Sequence, residues 1–109
     1  MAPPARILVV DDNQTLRVLL AQALEVLAFD PPDLCLVDHH MPGMGGAALV
    51  RWLRSSTDAR LRAMPIIGLT GFEAAVRDLL EAGADEALQK PCPEAVLLGH
   101  VARLLARRA

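Results

Sequence analysis

Four short runs of mainly apolar residues recur along the chain, and each ends at polar or charged residues. They cover residues 6–10, 34–37, 65–69 and 86–89, of which the last is the least apolar. Continuous apolar runs of this length, without alternation, are typical of strands buried on both faces of a parallel sheet. The pattern therefore predicts four buried parallel strands.

Segments with apolar residues at helical spacing separate these runs. They predict helices over residues 14–29, 46–54, 72–82 and 93–107. In the third of these helices, Val76, Leu79 and Leu80 are expected to face inward, and Gly83 follows it as the C′ residue. The polar stretch 55–62 carries no predicted element. Strands that alternate with helices predict an α/β fold, with helices on both faces of a parallel sheet.

Size and charge narrow the class of protein. The chain has 109 residues, 53% of them hydrophobic and 22% charged, which fits one small globular domain over residues 1–109. Its net charge of -2 gives no basic stripe, so neither nucleic acid nor a membrane surface is an expected partner. No apolar run approaches the roughly 18 residues of a membrane span, and no signal peptide is apparent. Together with only two cysteines, this predicts a cytoplasmic location.

Chemically active side chains follow each predicted strand. Asp11 and Asp12 follow the first, Asp38 the second, Thr70 the third and Lys90 the last. In parallel α/β sheets, ligands bind at the carboxyl ends of the strands. Three carboxylates, a hydroxyl and an ammonium group are therefore predicted to meet at one edge.

That combination has a physical logic. Neighbouring carboxylates repel one another, and a hard divalent cation such as Mg²⁺, which prefers oxygen ligands, relieves the repulsion. A carboxylate can also attack phosphorus to form an acyl phosphate. A hydroxyl and an ammonium group suit the charge of a phosphoryl group in transfer. The set predicts metal-assisted phosphoryl transfer onto an aspartate.

From Arg6 to the C-terminus, the sequence resembles a response-regulator receiver domain. The likeness rests on residues 9–13, 37–46, 65–71 and 82–85 and on the pair 90–91. Each segment alone is weak, whereas together and in order they are specific. The resemblance implies a CheY-like, flavodoxin-like fold, whose family strand order is 2-1-3-4-5.

The resemblance also implies a metal site. Asp38 would be the phosphoacceptor and a metal ligand. Asp12 would ligate Mg²⁺ directly, Asp11 would assist through water, and the backbone carbonyl of His40 would be a further ligand. Mn²⁺ could replace Mg²⁺. A transition-metal site at the adjacent His39 and His40 is disfavoured, because neighbouring histidines in a loop are usually solvated.

The resemblance also assigns roles in phosphoryl transfer to Thr70 and Lys90. Thr70 would close on the phosphoryl group. Lys90 would pair with Asp38 or its phosphate, and the Lys90–Pro91 peptide bond would be cis. The chain would then catalyse only its own phosphorylation and dephosphorylation, without being an enzyme toward other substrates.

The sequence departs from the family at two places. Ala87 stands where receivers commonly carry a tyrosine or phenylalanine that moves with the threonine, which puts output through that ring in doubt. Between residues 29 and 34 the chain is also short. About twenty residues are missing, the length of a strand–helix unit, so four strands are expected, without the family's strand 2.

Three explanations of the short connection remain open. The first helix could move to the other face of the sheet, because parallel crossovers are right-handed. The first strand and helix could swap into a second subunit. The segment could also be omitted from the sequence. A true deletion would expose the first strand as a sheet edge, which favours a homodimer or a domain swap.

The leading hypothesis is a stand-alone or excised receiver that accepts a phosphoryl group from a histidine kinase or phosphotransfer protein and signals by contact with a downstream protein. A degenerate receiver that acts as a dimerisation module is the alternative. A haloacid-dehalogenase-like phosphatase is disfavoured, because that family alternates two aspartates after its first strand. A flavodoxin is disfavoured because no phosphate-binding loop follows the first strand.

Overall fold

The computed structural model describes residues 6–11, 32–39 and 45–107. Strands and helices alternate along these ranges. In chain order they are β1 (Ile7–Asp11), β2 (Leu34–His39), α1 (Gly45–Arg54), α2 (Ala59–Arg62), β3 (Ile66–Thr70), α3 (Glu73–Ala82), β4 (Glu86–Gln89) and α4 (Glu94–Ala106). The helix predicted over residues 14–29 and the path from Phe29 to Pro31 lie outside the described residues.

The four strands form one parallel sheet in the order β1-β2-β3-β4. This is the family order without strand 2, so the predicted four-stranded parallel sheet is confirmed. Each strand lies beside the next one in sequence. All four carboxyl ends therefore lie at one edge of the sheet, in the order of the chain.

Alternation along the strands divides the core into two layers. Cys35, Val37 and Ile66 face the layer that contains α1 and α3, whereas Leu34 and Ile67 face the layer that contains α4. Successive side chains of a strand point to opposite faces, so each continuous apolar run supplies both layers. The prediction of helices on both faces is confirmed.

The predicted helices over residues 46–54, 72–82 and 93–107 are present with ends shifted by one residue. Gly83 has φ of 119° at the end of α3, where the left-handed conformation favours glycine. Leu79 is fully buried, but Leu80 is 45% exposed, so the inward orientation predicted for Leu80 was wrong. The reason is that Ala75 and Leu79 already define the buried face of α3.

The polar stretch 55–62 contains a helix that was not predicted. The four residues of α2 follow Asp58, whose side chain accepts a hydrogen bond from the backbone N–H of Arg60. One helical turn is too short to show a periodicity, so the N-cap residue was the only available signal. Among the described helices, none combines the length and apolar character that a membrane crossing requires.

Candidate functional site

The acidic ends of β1 and β2 lie side by side. Asp11 and Asp38 are register partners in the parallel ladder, which places their backbones directly opposite one another. Both follow apolar residues that hold their strands in the sheet. In both strands, an apolar run is followed by an aspartate, which places the two aspartates at the carboxyl edge of the sheet.

Lys90 brings a positive charge to Asp38. Its ammonium nitrogen Nζ forms an ion pair with Oδ1 of Asp38, and the two side chains are 33% and 26% exposed. Lys90 follows β4, and its backbone N–H donates a 2.7 Å hydrogen bond to the carbonyl of Thr70. The Lys90–Pro91 peptide bond is cis, as predicted. The cation is therefore fixed at its backbone and directed at the predicted phosphoacceptor.

Thr70 stands between these two residues in the sheet. It ends β3, is the register partner of His39, and is fully buried. Its hydroxyl oxygen Oγ1 accepts a 3.1 Å hydrogen bond from the backbone N–H of Phe72, immediately before α3. The carboxyl edge thus carries Asp38, Thr70 and Lys90 on three successive strands.

The predicted metal ligands are described only in part. Asp12 and His40 lie outside the described residues, and only the backbone of Asp11 is described. Within the described ranges, no group of three or more histidine, cysteine, aspartate or glutamate side chains is placed to hold a metal ion. The oxygen donors that the sequence supplies at this edge are nevertheless the kind that Mg²⁺ prefers.

His39 differs from its predicted environment. It was assigned with His40 to a solvated loop, but it is the last residue of β2 and only 1% exposed. Its side chain points to the same face as Val37 and lies under the start of α1, beside Gly46. The loop assignment was wrong because β2 continues one residue beyond Asp38. Gly46, eight residues after Asp38, was the available signal that the His39 side chain is buried.

A cleft of about 580 Å³ opens beside the ion pair. Its described lining residues are Leu69, Lys90, Pro91, Cys92 and Leu97. Among these, only Lys90 carries a charge. This cleft gives the edge of the sheet an apolar wall on the α4 side.

Comparison with known proteins identifies the family. The sequence profile of the response regulator receiver domain matches residues 20–102, which is most of the chain. The chain belongs to the response regulator receiver domain family. Members of this family are the receiver modules of two-component signalling, so the chain is a receiver domain of that system.

Solved receiver structures agree with the fold. The receiver domain of a signal transduction histidine kinase from Syntrophus aciditrophicus is 37% identical, with a TM-score of 0.70 over 94% of this chain and 91% of that one. A response regulator from Chloroflexus aurantiacus is 28% identical, with a TM-score of 0.76 over 95% and 99%. A 24% identical receiver of a Pseudomonas aeruginosa sensor histidine kinase, with a TM-score of 0.68 over 95% and 99% of the two chains, has a magnesium ion coordinated in its active site cleft.

Curated relatives match the chain over part of their own length. Response regulator MprA of Mycolicibacterium vanbaalenii is 37% identical over an alignment of 123 positions, which includes 95% of this chain and 52% of that protein. The receiver therefore spans about half the length of the curated relatives it matches. Since the alignment is longer than the 109-residue chain, the relative has residues without a counterpart here. That difference agrees with the predicted loss of a strand–helix unit.

Proposed function

We propose that this receiver accepts a phosphoryl group on Asp38 from the phosphohistidine of a histidine kinase or phosphotransfer protein. The ion pair between Lys90 and Asp38, in a chain of the receiver family, is the observation that carries the proposal. A buried hydroxyl at Thr70 on the strand between them supplies the third group that phosphoryl transfer needs.

In the proposed step, a carboxylate oxygen of Asp38 attacks phosphorus while the bond from phosphorus to the donor's histidine nitrogen breaks. The electron pair of that bond leaves with the nitrogen, and an acyl phosphate forms on Asp38. Lys90 loses a carboxylate partner and gains a phosphoryl oxygen, so its positive charge stays compensated throughout. Thr70 donates its hydroxyl proton to another phosphoryl oxygen.

Mg²⁺ fits the oxygen donors of this edge, and Mn²⁺ would fit the same set. Asp11, Asp12, Asp38 and the backbone carbonyl of His40 would hold the ion. When bound, it supplies positive charge that offsets the repulsion between carboxylates and phosphoryl oxygens. The magnesium ion in the cleft of the P. aeruginosa receiver supports this proposal.

The proposal limits catalysis to the chain's own phosphorylation and dephosphorylation. The carboxylate, hydroxyl and ammonium groups serve one aspartyl phosphate, and the cleft beside them has mainly apolar walls. We infer that the domain acts in the cytoplasm, where its phosphohistidine donors present their phosphoryl groups. Its output is contact with a downstream protein.

Acetyl phosphate with MgCl₂ provides the test, because it donates phosphoryl groups without a cognate kinase. Intact mass spectrometry should show one added phosphoryl group, labile to hydroxylamine as an acyl phosphate is. Asp38→Asn should abolish the addition. Asp78→Asn, which changes an exposed carboxylate on α3, should retain it. Absence of the addition from the wild-type chain, or its persistence in Asp38→Asn, would refute the proposal.

A second candidate is an interaction module that works as a homodimer. The observation that favours it is β1, which lies at the edge of the described sheet with Ile7 43% and Val9 60% exposed. An apolar edge strand offers both backbone hydrogen bonds and contact area to a second copy. Ala87 replaces the aromatic residue that other receivers use for output. Signalling through dimerisation would not require that aromatic ring.

Light scattering after size exclusion tests this candidate. The wild-type chain should elute as a dimer, and Val9→Lys should convert it to a monomer, because a charge on an edge strand opposes pairing. Leu98→Lys, at a site on α4 that is 55% exposed, is the matched control and should leave the dimer intact. A monomeric wild-type chain at about 100 µM, well above the dissociation constants of stable dimers, would contradict it.

A further inference from the structure

The strand that leads to the cation of the site is weakly fixed by burial. Of the four residues of β4, three are half-buried and Gln89 is exposed, whereas every residue of β3 beside it is buried. A strand's register is strongly specified where one of its faces is buried and weakly where none is. The position of β4 along β3 therefore depends on contacts other than apolar packing.

Polar contacts at the two ends of β4 supply that restraint. At its start, the backbone N–H of Ile66 donates to Oδ2 of Asp85 at 2.8 Å, and the N–H of Asp85 donates to the carbonyl of Ile66 at 2.9 Å. At its end, the N–H of Lys90 donates to the carbonyl of Thr70 at 2.7 Å. These contacts bracket the ladder between β3 and β4.

The carboxylate of Asp85 is itself held by α1. Nη2 of Arg54 donates to the same Oδ2 atom at 2.8 Å, and Nε of Arg54 donates to the carbonyl of Gly83 at 2.8 Å. One carboxylate oxygen has two lone pairs, so it can accept from both Ile66 and Arg54. The residue before β4 is thus fixed to the strand beside it and to a helix of the core.

A slip of β4 would displace the cation. Moving this strand by one residue shifts its chain by about 3.3 Å and turns each side chain to the opposite face. Lys90 follows directly after β4, and its Nζ pairs with Asp38. A slip would therefore remove the ammonium group from the acceptor. Misplacement of a reacting group by about 1 Å can lower a rate by up to about 100-fold.

We propose that Asp85 is a positioning residue, which fixes the register of β4 on β3 and thereby holds Lys90 at Asp38. The inference rests on the proposed function, in which Lys90 compensates the charge of the phosphoryl group. Asp85 lies at the other end of β4 from Lys90, so it acts through the strand and makes no contact with the phosphoryl group.

Phosphorylation by acetyl phosphate with MgCl₂, followed as the rate of mass gain, tests this role. Asp85→Ala removes the acceptor of the Ile66 N–H and should slow phosphorylation about 10-fold or more. Asp85→Asn keeps an oxygen that can accept from both donors, so it should retain most of the wild-type rate. Val50→Ala, at a fully buried position of α1, is the control and should lower stability without slowing the reaction.

Two further measurements separate positioning from stability alone. In a Lys90→Met background, Asp85→Ala should cause no additional slowing, because both changes act through the same ammonium group. Independent effects would instead multiply. By NMR, the backbone N–H of Lys90 should exchange with solvent faster in Asp85→Ala than in the wild-type chain, relative to the amides of α1.

The outcomes distinguish the two proposals. If the wild-type chain gains no phosphoryl group, the proposed function fails and the role in phosphoryl transfer fails with it, whereas exchange of the Lys90 amide still decides whether Asp85 fixes the register. If the wild-type chain reacts and Asp85→Ala reacts equally fast, only the positioning role is overturned. Equal slowing in Asp85→Asn and Asp85→Ala would overturn it too. Should Asp85→Ala fail to fold, Asp85→Glu, whose carboxylate lies one bond further from the backbone, replaces it with the same expected slowing.

Discussion

The stability of the α1–α3 layer depends on one arginine at the end of α1. The Nε of Arg54 donates a 2.8 Å hydrogen bond to the carbonyl of Gly83, and Nη1 donates to the carbonyls of Arg62 and Met64 at 2.9 and 2.7 Å. Its Nη2 forms a 2.8 Å ion pair with Asp85. The guanidinium therefore ties together the ends of α1, α2 and α3. Arg54→Met keeps most of the side chain's volume but removes all four bonds.

The structure gives a magnitude for this loss. A net contribution of about 1 kcal/mol for each hydrogen bond places the upper figure near 4 kcal/mol. The side chain of Arg54 is 21% exposed, and the bond to Arg62 is exposed, so water replaces part of what is lost. We expect the free energy of unfolding to fall by about 3 kcal/mol, which lowers the thermal midpoint of a domain of this size by about 15 °C.

Urea unfolding measures the effect. Trp52 is the only tryptophan and reports on α1 through its fluorescence, while far-ultraviolet circular dichroism reports on the whole chain. Arg51→Met is the matched control, because Arg51 lies on the same helix with an exposed side chain. It should change stability by less than about 0.5 kcal/mol. If Arg54→Met cost less than about 1 kcal/mol, or no more than the control, the role assigned to this guanidinium would be refuted.

Four further outcomes are expected. Gly83→Ala should destabilise the chain by about 2 kcal/mol in the same urea assay. The left-handed backbone at position 83 disfavours a side chain, and the Cβ of the new alanine would lie 2.7 Å from Cγ of Arg54. An unchanged free energy of unfolding would contradict this. Burial raises the pKa of the Cys35 thiol from 9.0 to about 12, so Ellman's reagent at pH 8 should titrate Cys92 alone until urea is added. Since the unfolded chain loses the Cys35 proton first, the free energy of unfolding should fall as pH rises from 9 toward 12. Lys90→Met should slow phosphorylation by acetyl phosphate about 100-fold, measured as the rate of mass gain, and an unchanged rate would exclude a catalytic role.

The strands could be predicted closely from the sequence, because two-sided burial imposes a continuous apolar run that needs no tertiary information. Residues 86–89 form β4 as predicted, although this run is the least apolar. The last residue of β2 could not be predicted in this way. His39 is polar, and its burial depends on the missing side chain of Gly46, a pairing that no local pattern contains.

The candidate site was predictable for a different reason. Each of these side chains lies at or just after the carboxyl end of a strand, and a parallel sheet brings strand ends together whatever the identity of the helices between them. What the sequence alone could not supply was the distance between particular residues. The ion pair between Asp38 and Lys90 depends on the strand order, which places one strand between β2 and β4.

That intervening strand explains the choice of residues at the edge. Neighbouring strands lie about 4.8 Å apart, so a side chain after β4 must extend over roughly 10 Å to reach an acid on β2. The four-carbon stem of Lys90 spans much of this distance, whereas a shorter side chain would stop above β3. On β3, the register partner of Asp38 is Leu69, whereas Thr70 is the partner of His39. The spacing of a parallel sheet thus accounts for a long cation after β4 paired with a carboxylate on β2.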